Sequence, residues 1–336
     1  MTLSSVLIVD DEPAVRDLMS RWVIALGLRP HTAASADEAL ETMRRQRYDL
    51  AVIDVMMPGH DGLWLAGELR REHPHTALVL ATAYTDLVAG ETPQPIADFL
   101  IKPFQRERFA LAVDRGLQWR KQTLEELHWH AMLSIELRDR ATAISAAVWE
   151  RALNGESEEA VLRDLALEQM AETAAHGDRV ARYAQAVARE MGIADLGPSL
   201  AIAAQFHDVG KLAIPEALVT KPSPLSDGEK AIMRQHVDVG ADILEATDTL
   251  RIAAPIVRAS HEWFGGAGYP QQLAGDAIPM ASRIIAVVDA YDAMTQDRAY
   301  RIRFDSADAV AELLRCSPAQ FDPRVVGAFL DVLGRH

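Results

Sequence analysis

The sequence predicts a multidomain chain: an α/β domain built on a doubly wound parallel sheet at residues 1–118, a helical connector at 119–160 and an all-α domain at 161–336. Three observations carry this. The chain has 336 residues, and at roughly 100 to 200 residues per domain that length implies about two domains. Short β-branched or apolar runs alternate with helical patterns over the first third of the chain, the rhythm of βα units on a parallel sheet. Beyond about residue 119 strand patterns nearly vanish and helical patterns follow one another.

Taken in order, the clearest strands of the first domain are 6–9, 50–53, 77–81 and 99–101, with helices at 13–26 and 36–46 between them. Ser35 opens the second helix with Glu38 three residues on, the pattern of a capping box. Pro58-Gly59 and Asp61-Gly62 read as turn chemistry. In such sheets the ligand crevice lies at the carboxyl ends of the strands. Asp10 and Asp11 follow the first run, Asp54 the second, Thr82 ends the third and Lys102 follows the last. Three carboxylates in one crevice repel unless a cation sits among them, and all-oxygen ligation with open positions suits Mg²⁺.

These residues resemble the receiver domain of two-component response regulators: Asp10-Asp11, Asp54 followed by MMPGHDG, Thr82 and Lys102-Pro103 stand in order at the expected strand ends. The resemblance covers about residues 4 to 118. It implies that Asp54 accepts a phosphoryl group from a sensor histidine kinase, that Asp11 and Asp54 hold Mg²⁺ with help from Asp10, that Lys102 pairs with the phosphoryl oxygens, and that Thr82 and Phe99 form the switch that senses them.

From Phe104 onward the pattern is helical. Ala110, Val113, Leu117, Leu124, Leu127 and Ala131 fall on a heptad that Arg120 interrupts. The reading preferred here is that the last helix of the first domain runs on into the connector; pairing with a second copy in a homodimer is also open to it. Asn154-Gly155 breaks the pattern, and Glu158 and Glu159 then sit where the positive end of a new helix favours them.

The chemistry of the second domain gathers around His207-Asp208-Val209-Gly210-Lys211. Chance alone supplies about one His-Asp pair in a chain of this composition, so the pair needs company. Glu172 and His176 are four residues apart, which puts both on one face of a helix, and His236, His261 and Asp289 follow. Imidazole and carboxylate in this proportion suit Fe, Mn, Zn, Co or Ni. Adjacent His207 and Asp208 point about 100° apart on a helix, so they reach one metal only if the carboxylate bends inward, where it could also bridge two. Lys211, four residues after His207, would project from the same helix face towards a phosphate. Gly265, Gly266 and Gly268 cannot hold helix, which places Tyr269 on a flexible loop. The remaining histidines, 31, 60, 73, 75, 128, 130 and 336, have no motif around them.

This constellation resembles the HD-GYP family of the HD superfamily, over about residues 165 to 331. The matching residues are His176-Gly-Asp-Arg179-Val180, HDVGK at 207–211, Ile214-Pro215, Lys221-Pro222, Leu225, Glu229, His236, SHEWFGGAGYP at 260–270, Arg283, Asp289, Asp297-Arg298 and Tyr300-Arg301. The resemblance implies a helical domain that hydrolyses cyclic di-GMP to the linear dinucleotide pGpG, with the further step to GMP left open. Its metal ligands would be Glu172, His176, His207, Asp208, His236, His261 and Asp289, with Asp208 bridging two divalent ions, or three if Glu172 joins, Fe or Mn being preferred. Asp208 and Lys211 would be catalytic, and Lys211, Tyr269, Arg298 and Arg301 would meet the substrate. Two metals together acidify a water and clamp the attacking and leaving oxygens, which is what phosphodiester hydrolysis requires.

Two residues depart from the family pattern: Ser260 stands where a second consecutive histidine is usual, and Gly265 where an Asp is usual. Ser260 removes an imidazole near the second metal, while the site of His176, His207, Asp208 and Asp289 is expected to be filled. The alternative is a catalytically weakened domain that acts as a phosphorylation-gated interaction module, binding other cyclic di-GMP signalling proteins through the loop at 265–270. A DNA-binding output is opposed by a formal charge of −15, since clamping a nucleic-acid backbone takes a surplus of Lys and Arg. The single cysteine, Cys316, allows no internal disulfide, and with no membrane-length apolar run and no basic leader the chain is expected in the cytoplasm, off the membrane.

Overall fold

The computed structural model describes residues 3–83, 95–296 and 304–334. The chain divides into two compact units, Met1–Trp129 and His130–His336.

The first unit is a parallel sheet of β1 (Ser5–Val9), β2 (Arg29–Ala33), β3 (Leu50–Asp54), β4 (Ala77–Thr82) and β5 (Asp98–Ile101), in the order β2-β1-β3-β4-β5. Among the described residues three helices connect its strands: α1 (Pro13–Ala25), α2 (Ala36–Arg45) and α3 (Gly62–Glu72). Both faces of the sheet are covered, which is why its central strands read as continuous apolar runs. Val6, Ile8, Val52 and Val79 face Met19 and Val23 of α1, whereas Leu7, Val9, Ile53 and Leu80 face Ala39 and Met43 of α2 and Leu65 of α3. Among the described strands β2, RPHTA, escaped the sequence reading, and so did helix α3. Strand β2 is an edge strand with a single buried residue, Ala33, and the edge is where a proline is tolerated because one side of the strand needs no ladder hydrogen bonds. Asp61-Gly62 is not a turn but the start of α3, with the Asp61 side chain accepting from the Trp64 N–H at 2.7 Å. At α2 the Ser35 side chain caps Glu38 N–H, while the Glu38 carboxylate reaches the N–H of Ala34 instead of Ser35.

Helix α4 (Arg106–Leu153) is a single 48-residue helix with residues in both units. The second unit continues with α5 (Glu158–Glu190), α6 (Gly197–Phe206), α7 (Glu216–Val219), α8 (Asp227–Arg234), α9 (His236–Glu245), α10 (Ala254–Arg258), α11 (Met280–Thr295), α12 (Ser306–Cys316) and α13 (Pro323–Leu333). Helix α5 is the spine: it packs on α6, α11 and α13 around a core that includes Val180, Ala184, Leu200, Ile284, Val288 and Phe329. It is kinked at Met170, whose φ of −150° and ψ of 65° are not helical. Glu158 does not serve its own helix's amides. Its buried carboxylate accepts from Asp248 N–H at 3.0 Å, Thr249 N–H at 2.8 Å and Thr249 Oγ1–H at 2.5 Å, tying the start of α5 to the turn after α9.

Candidate active site

At the carboxyl ends of the sheet strands, Asp10, Asp11 and Asp54 bring carboxylate oxygens within 4.8 Å of one another. Lys102, just past β5, places Nζ 2.9 Å from Asp10 Oδ2 and 3.0 Å from Asp54 Oδ2. Burial pushes the Asp54 carboxyl above its ordinary range, against the opposing pull of Lys102. One lysine against three carboxylates leaves the crevice negative, and its all-oxygen donor set fits Mg²⁺. Gly62 is required here, because a Cβ would fall 2.1 Å from the carbonyl oxygen of Asp54; the start of α3 is thereby pressed against the end of β3. Thr82 is buried at the end of β4, and Phe99 is half-buried against the α2–α3 side of the core.

In the helical unit six of the seven expected ligands converge in two groups. His176, His207 and Asp289 form one, and Asp208, His236 and His261 the other, each with ligand atoms within 4.8 Å. Asp208 lies between them. Its Oδ2 is 3.6 Å from His207 Nε2 and 4.0 Å from His176 Nε2, while its Oδ1 is 3.4 Å from His236 Nε2. Glu172, exposed on α5 two residues past the kink, stands outside both groups and lines the adjoining cavity.

The backbone explains the convergence. Helix α6 ends at Phe206, and Asp208, with φ −100° and ψ 4°, leads into a 3-10 turn over Val209–Ala213. This break removes the helical divergence of His207 and Asp208, so both side chains reach the same centre. It also cancels the helix-face argument for Lys211. That side chain folds back onto Asp208, with Nζ 2.6 Å from Oδ2. Two glycines set the distances between elements. A Cβ on Gly177 would meet Gln205 O at 2.2 Å where α5 crosses α6, and one on Gly210 would meet His236 O at 1.9 Å where the 3-10 turn meets α9.

The imidazoles are oriented from behind. His207 Nδ1 donates to Ala204 O and His236 Nδ1 to Met233 O, each at 2.8 Å, and His176 Nδ1 donates to Asp292 Oδ2 at 2.6 Å. In each case Nε2 is turned to the centre, the arrangement by which a metal-ligating histidine has its tautomer fixed. Asp292 is held in turn by Arg179, which donates to both carboxylate oxygens at 2.8 Å. Asp292 was not foreseen; its only trace in the sequence is its place three residues after Asp289, on the same face of α11.

Three observations fit this donor set to divalent cations. His207 Nε2 and Asp208 Oδ1 are buried without a hydrogen-bond partner, a costly condition for polar atoms. His236, whose Nδ1 already donates to Met233 O, presents its Nε2 lone pair to His261 Nε2 at 3.2 Å, so both ring nitrogens are aimed at one point. The pocket also draws such charge: burial opposes protonation of His176, but its bonds to Asp289 and Asp292 outweigh this and raise its pKa to about 9. Burial and the neighbouring His236 hold His261 down at about 3, a neutral ring. Asp208 is kept well below the usual carboxylate range: burial resists, but Lys211 and the imidazoles prevail. Nitrogen and carboxylate donors without thiolate suit transition metals.

Tyr269 corrects the expectation of a flexible loop. Its ring stacks on His261, 5.2 Å between centroids and 5° from parallel, and Arg234 lies over it at 5.0 Å. The segment is pinned by the buried Glu262 carboxylate, which accepts from Gln271 N–H at 2.6 Å and Leu273 N–H at 3.0 Å, and by Gly265 N–H to Ala319 O at 2.9 Å. At the two departures from the family pattern, Ser260 Oγ–H donates to Val257 O, and Gly265 sits so close to Ala319 that a Cβ would fall 2.8 Å from its carbonyl oxygen. Arg298 and Arg301 lie outside the described residues. A cavity of about 970 Å³ opens onto His176, Asp208 and Lys211, at the upper end of the ~300–1,000 Å³ typical of small-molecule sites.

Known proteins agree with this division. The model of the response regulator receiver domain matches residues 6–114, and that of the HD domain matches residues 160–325. The chain is 31% identical to the cyclic di-GMP phosphodiesterase response regulator RpfG of Xanthomonas campestris, over 97% of this chain and 87% of that one. It is 30% identical to a cyclic di-GMP phosphodiesterase of Thermotoga maritima, over 97% and 89%. It is also 36% identical to the 3'3'-cGAMP-specific phosphodiesterase 2 of Vibrio cholerae, over 48% of this chain and 31% of that one. Among the described residues no helix is long and apolar enough to cross a membrane. With two phosphodiesterase relatives similar along nearly the whole chain, the protein belongs to the family of two-component response regulators that join an N-terminal receiver domain to a C-terminal HD-GYP phosphodiesterase domain.

Proposed function

We propose that this protein is a cytoplasmic, phosphorylation-controlled phosphodiesterase that hydrolyses cyclic di-GMP to pGpG. The observation that carries the reading is Asp208, whose two carboxylate oxygens face separate histidine groups in a buried, cation-demanding pocket. His176, His207, Asp208 and Asp289 would hold one ion and Asp208, His236 and His261 the other, Fe or Mn; Glu172, on the cavity wall, is available to a third. Such ions acidify a water and neutralise the phosphodiester.

The chain's own groups do the rest. Asp292 and the carbonyls of Ala204 and Met233 fix the imidazoles. Lys211, already at Asp208, is placed to shift onto a phosphoryl oxygen as substrate enters. Tyr269 closes the site over His261, and Arg298 and Arg301 add charge for the second phosphate. In the receiver, Asp54 would take the phosphoryl group from a sensor histidine kinase with Mg²⁺ on Asp10, Asp11 and Asp54, Lys102 would pair with the new oxygens, and Thr82 and Phe99 would report them. Pairing of α4 with its copy would make the homodimer. Chromatography of cyclic di-GMP incubated with Mn- or Fe-loaded protein tests the reading: linear pGpG is expected, and intact substrate under both metals would favour the interaction module instead.

A further inference from the structure

Among the described residues four arginine or lysine side chains line the cavity at Asp208: Arg140, Arg179, Lys211 and Lys221. Three are committed to sheltered carboxylates. Arg179 holds Asp292, Lys211 holds Asp208 and Lys221 holds Glu229, and those acidic side chains are 2%, 8% and 20% exposed. Arg140 differs. Its partner is Glu136, one turn earlier on α4, in a pair whose side chains are 42% and 50% exposed, and exposed pairs of that kind contribute little to stability. Arg140 is therefore the cation that can be redirected to a ligand at least cost. Its Nη1 donates to Ala213 O at 3.4 Å, which places the guanidinium beside the turn carrying Lys211. The wall also contains Leu218, Leu225 and Met233, apolar surface for a flat ring, and the exposed carboxylate of Glu216. Arg140 lies outside residues 160–325 matched by the HD domain model.

We propose that Arg140, on the connector helix, reads a guanine base of the substrate, donating to its O6 and N7 while Glu216 accepts from N1–H and the exocyclic amine and the apolar wall takes the ring face. A planar fork of donors matches O6 and N7 together, and adenine presents a donor where O6 stands. This rests on the cyclic dinucleotide phosphodiesterase reading and adds its specificity. It also means that the substrate cavity is completed by the same continuous helix that begins in the receiver unit.

The test uses full-length, metal-loaded wild type, Arg140→Ala, Arg140→Lys and, as a control on an exposed neighbouring position, Arg138→Ala. KM and kcat are measured with cyclic di-GMP, and inhibition constants with cyclic di-GMP and cyclic di-AMP. The expected result is a KM for cyclic di-GMP raised roughly 10- to 100-fold in Arg140→Ala, with kcat within a few-fold and inhibition by cyclic di-AMP nearly unchanged. Arg140→Lys should recover only part of the loss, because an ammonium lacks the rigid planar fork that fits O6 and N7 together, and Arg138→Ala should match wild type. If Arg140→Ala does not fold, the same comparison on Arg140→Lys decides. An equal loss for both dinucleotides would place the guanidinium on a phosphate and overturn the guanine assignment, and an unchanged KM would overturn the proposal while leaving the phosphodiesterase reading intact. Wild type that neither turns over nor binds cyclic di-GMP would overturn both.

Discussion

His176 is poised between two carboxylates, and the division of labour between them can be tested. Asp289 faces its Nε2 at 3.0 Å, inside the centre, while Asp292 takes its Nδ1 from behind. Asp292→Asn keeps the shape but weakens the acceptor and disrupts the bidentate bond from Arg179. The expected outcome is a metal dissociation constant raised about 10- to 100-fold, measured by titrating the apoprotein, with activity recovered at saturating metal. A loss of turnover that excess metal does not restore would place Asp292 at the reacting atoms instead. In the receiver crevice, burial holds the Asp54 carboxyl above its ordinary pKa, so the folded state favours the protonated form. The stability this group contributes is present below the unfolded pKa and is lost as pH rises through the folded one. At neutral pH the charged form is a burden. Asp54→Asn is predicted to raise the receiver's melting midpoint by a few degrees, the shift given by about 1 kcal/mol in a domain of this size, while abolishing phosphorylation by a small phosphodonor. A lowered midpoint would contradict this.

At the scale of elements, what was legible in the sequence follows from what each element is buried against. The central strands β1, β3 and β4 are apolar on both faces and declare themselves. The edge strand β2 does not, because RPHTA buries one side chain and needs only half a ladder. The histidines and aspartates of the proposed metal centre were legible as residue types, since imidazole and carboxylate have few reasons to recur at such spacing, and the structure brings six of them together. Their geometry was not. The helix break at Asp208 and the kink at Met170 carry no signal in the sequence, where both stretches read as helix, although Gly210 marks the close contact of the turn after Asp208 with α9. Glu158 is a similar case: a first-turn glutamate in the sequence, in the folded chain a buried tie across to Thr249. Burial resists its ionisation, but the bonds it accepts outweigh this and lower its pKa. Its stabilisation is therefore present above the unfolded value near 4.3 and lost as pH falls through the folded one. Glu158→Gln should cost about 1–3 kcal/mol at pH 7, read as a shift in urea midpoint, and the difference from wild type should shrink at pH 3. A gap independent of pH would assign the loss to packing.

For the whole molecule, the formal charge of −15 takes a specific meaning. Part of it is carboxylates gathered in candidate cation sites, Asp10, Asp11 and Asp54 in one unit and Asp208 and Asp289 in two neighbouring groups of the other. The family relationship fixes the pairing of a receiver with an HD-GYP domain, and the long α4, with residues in both units, is their covalent connection. Asp208 is central to the proposed chemistry as a bridge between two ions. Metal content and cyclic di-GMP turnover, measured on the same anaerobically purified sample of wild type and of Asp208→Asn, test it most directly. Wild type is predicted to carry about two transition-metal ions per chain and to release pGpG, while Asp208→Asn holds fewer ions and turns over at least about 10²-fold more slowly. Active wild type with less than one ion per chain, or Asp208→Asn hydrolysing at the wild-type rate, would contradict it.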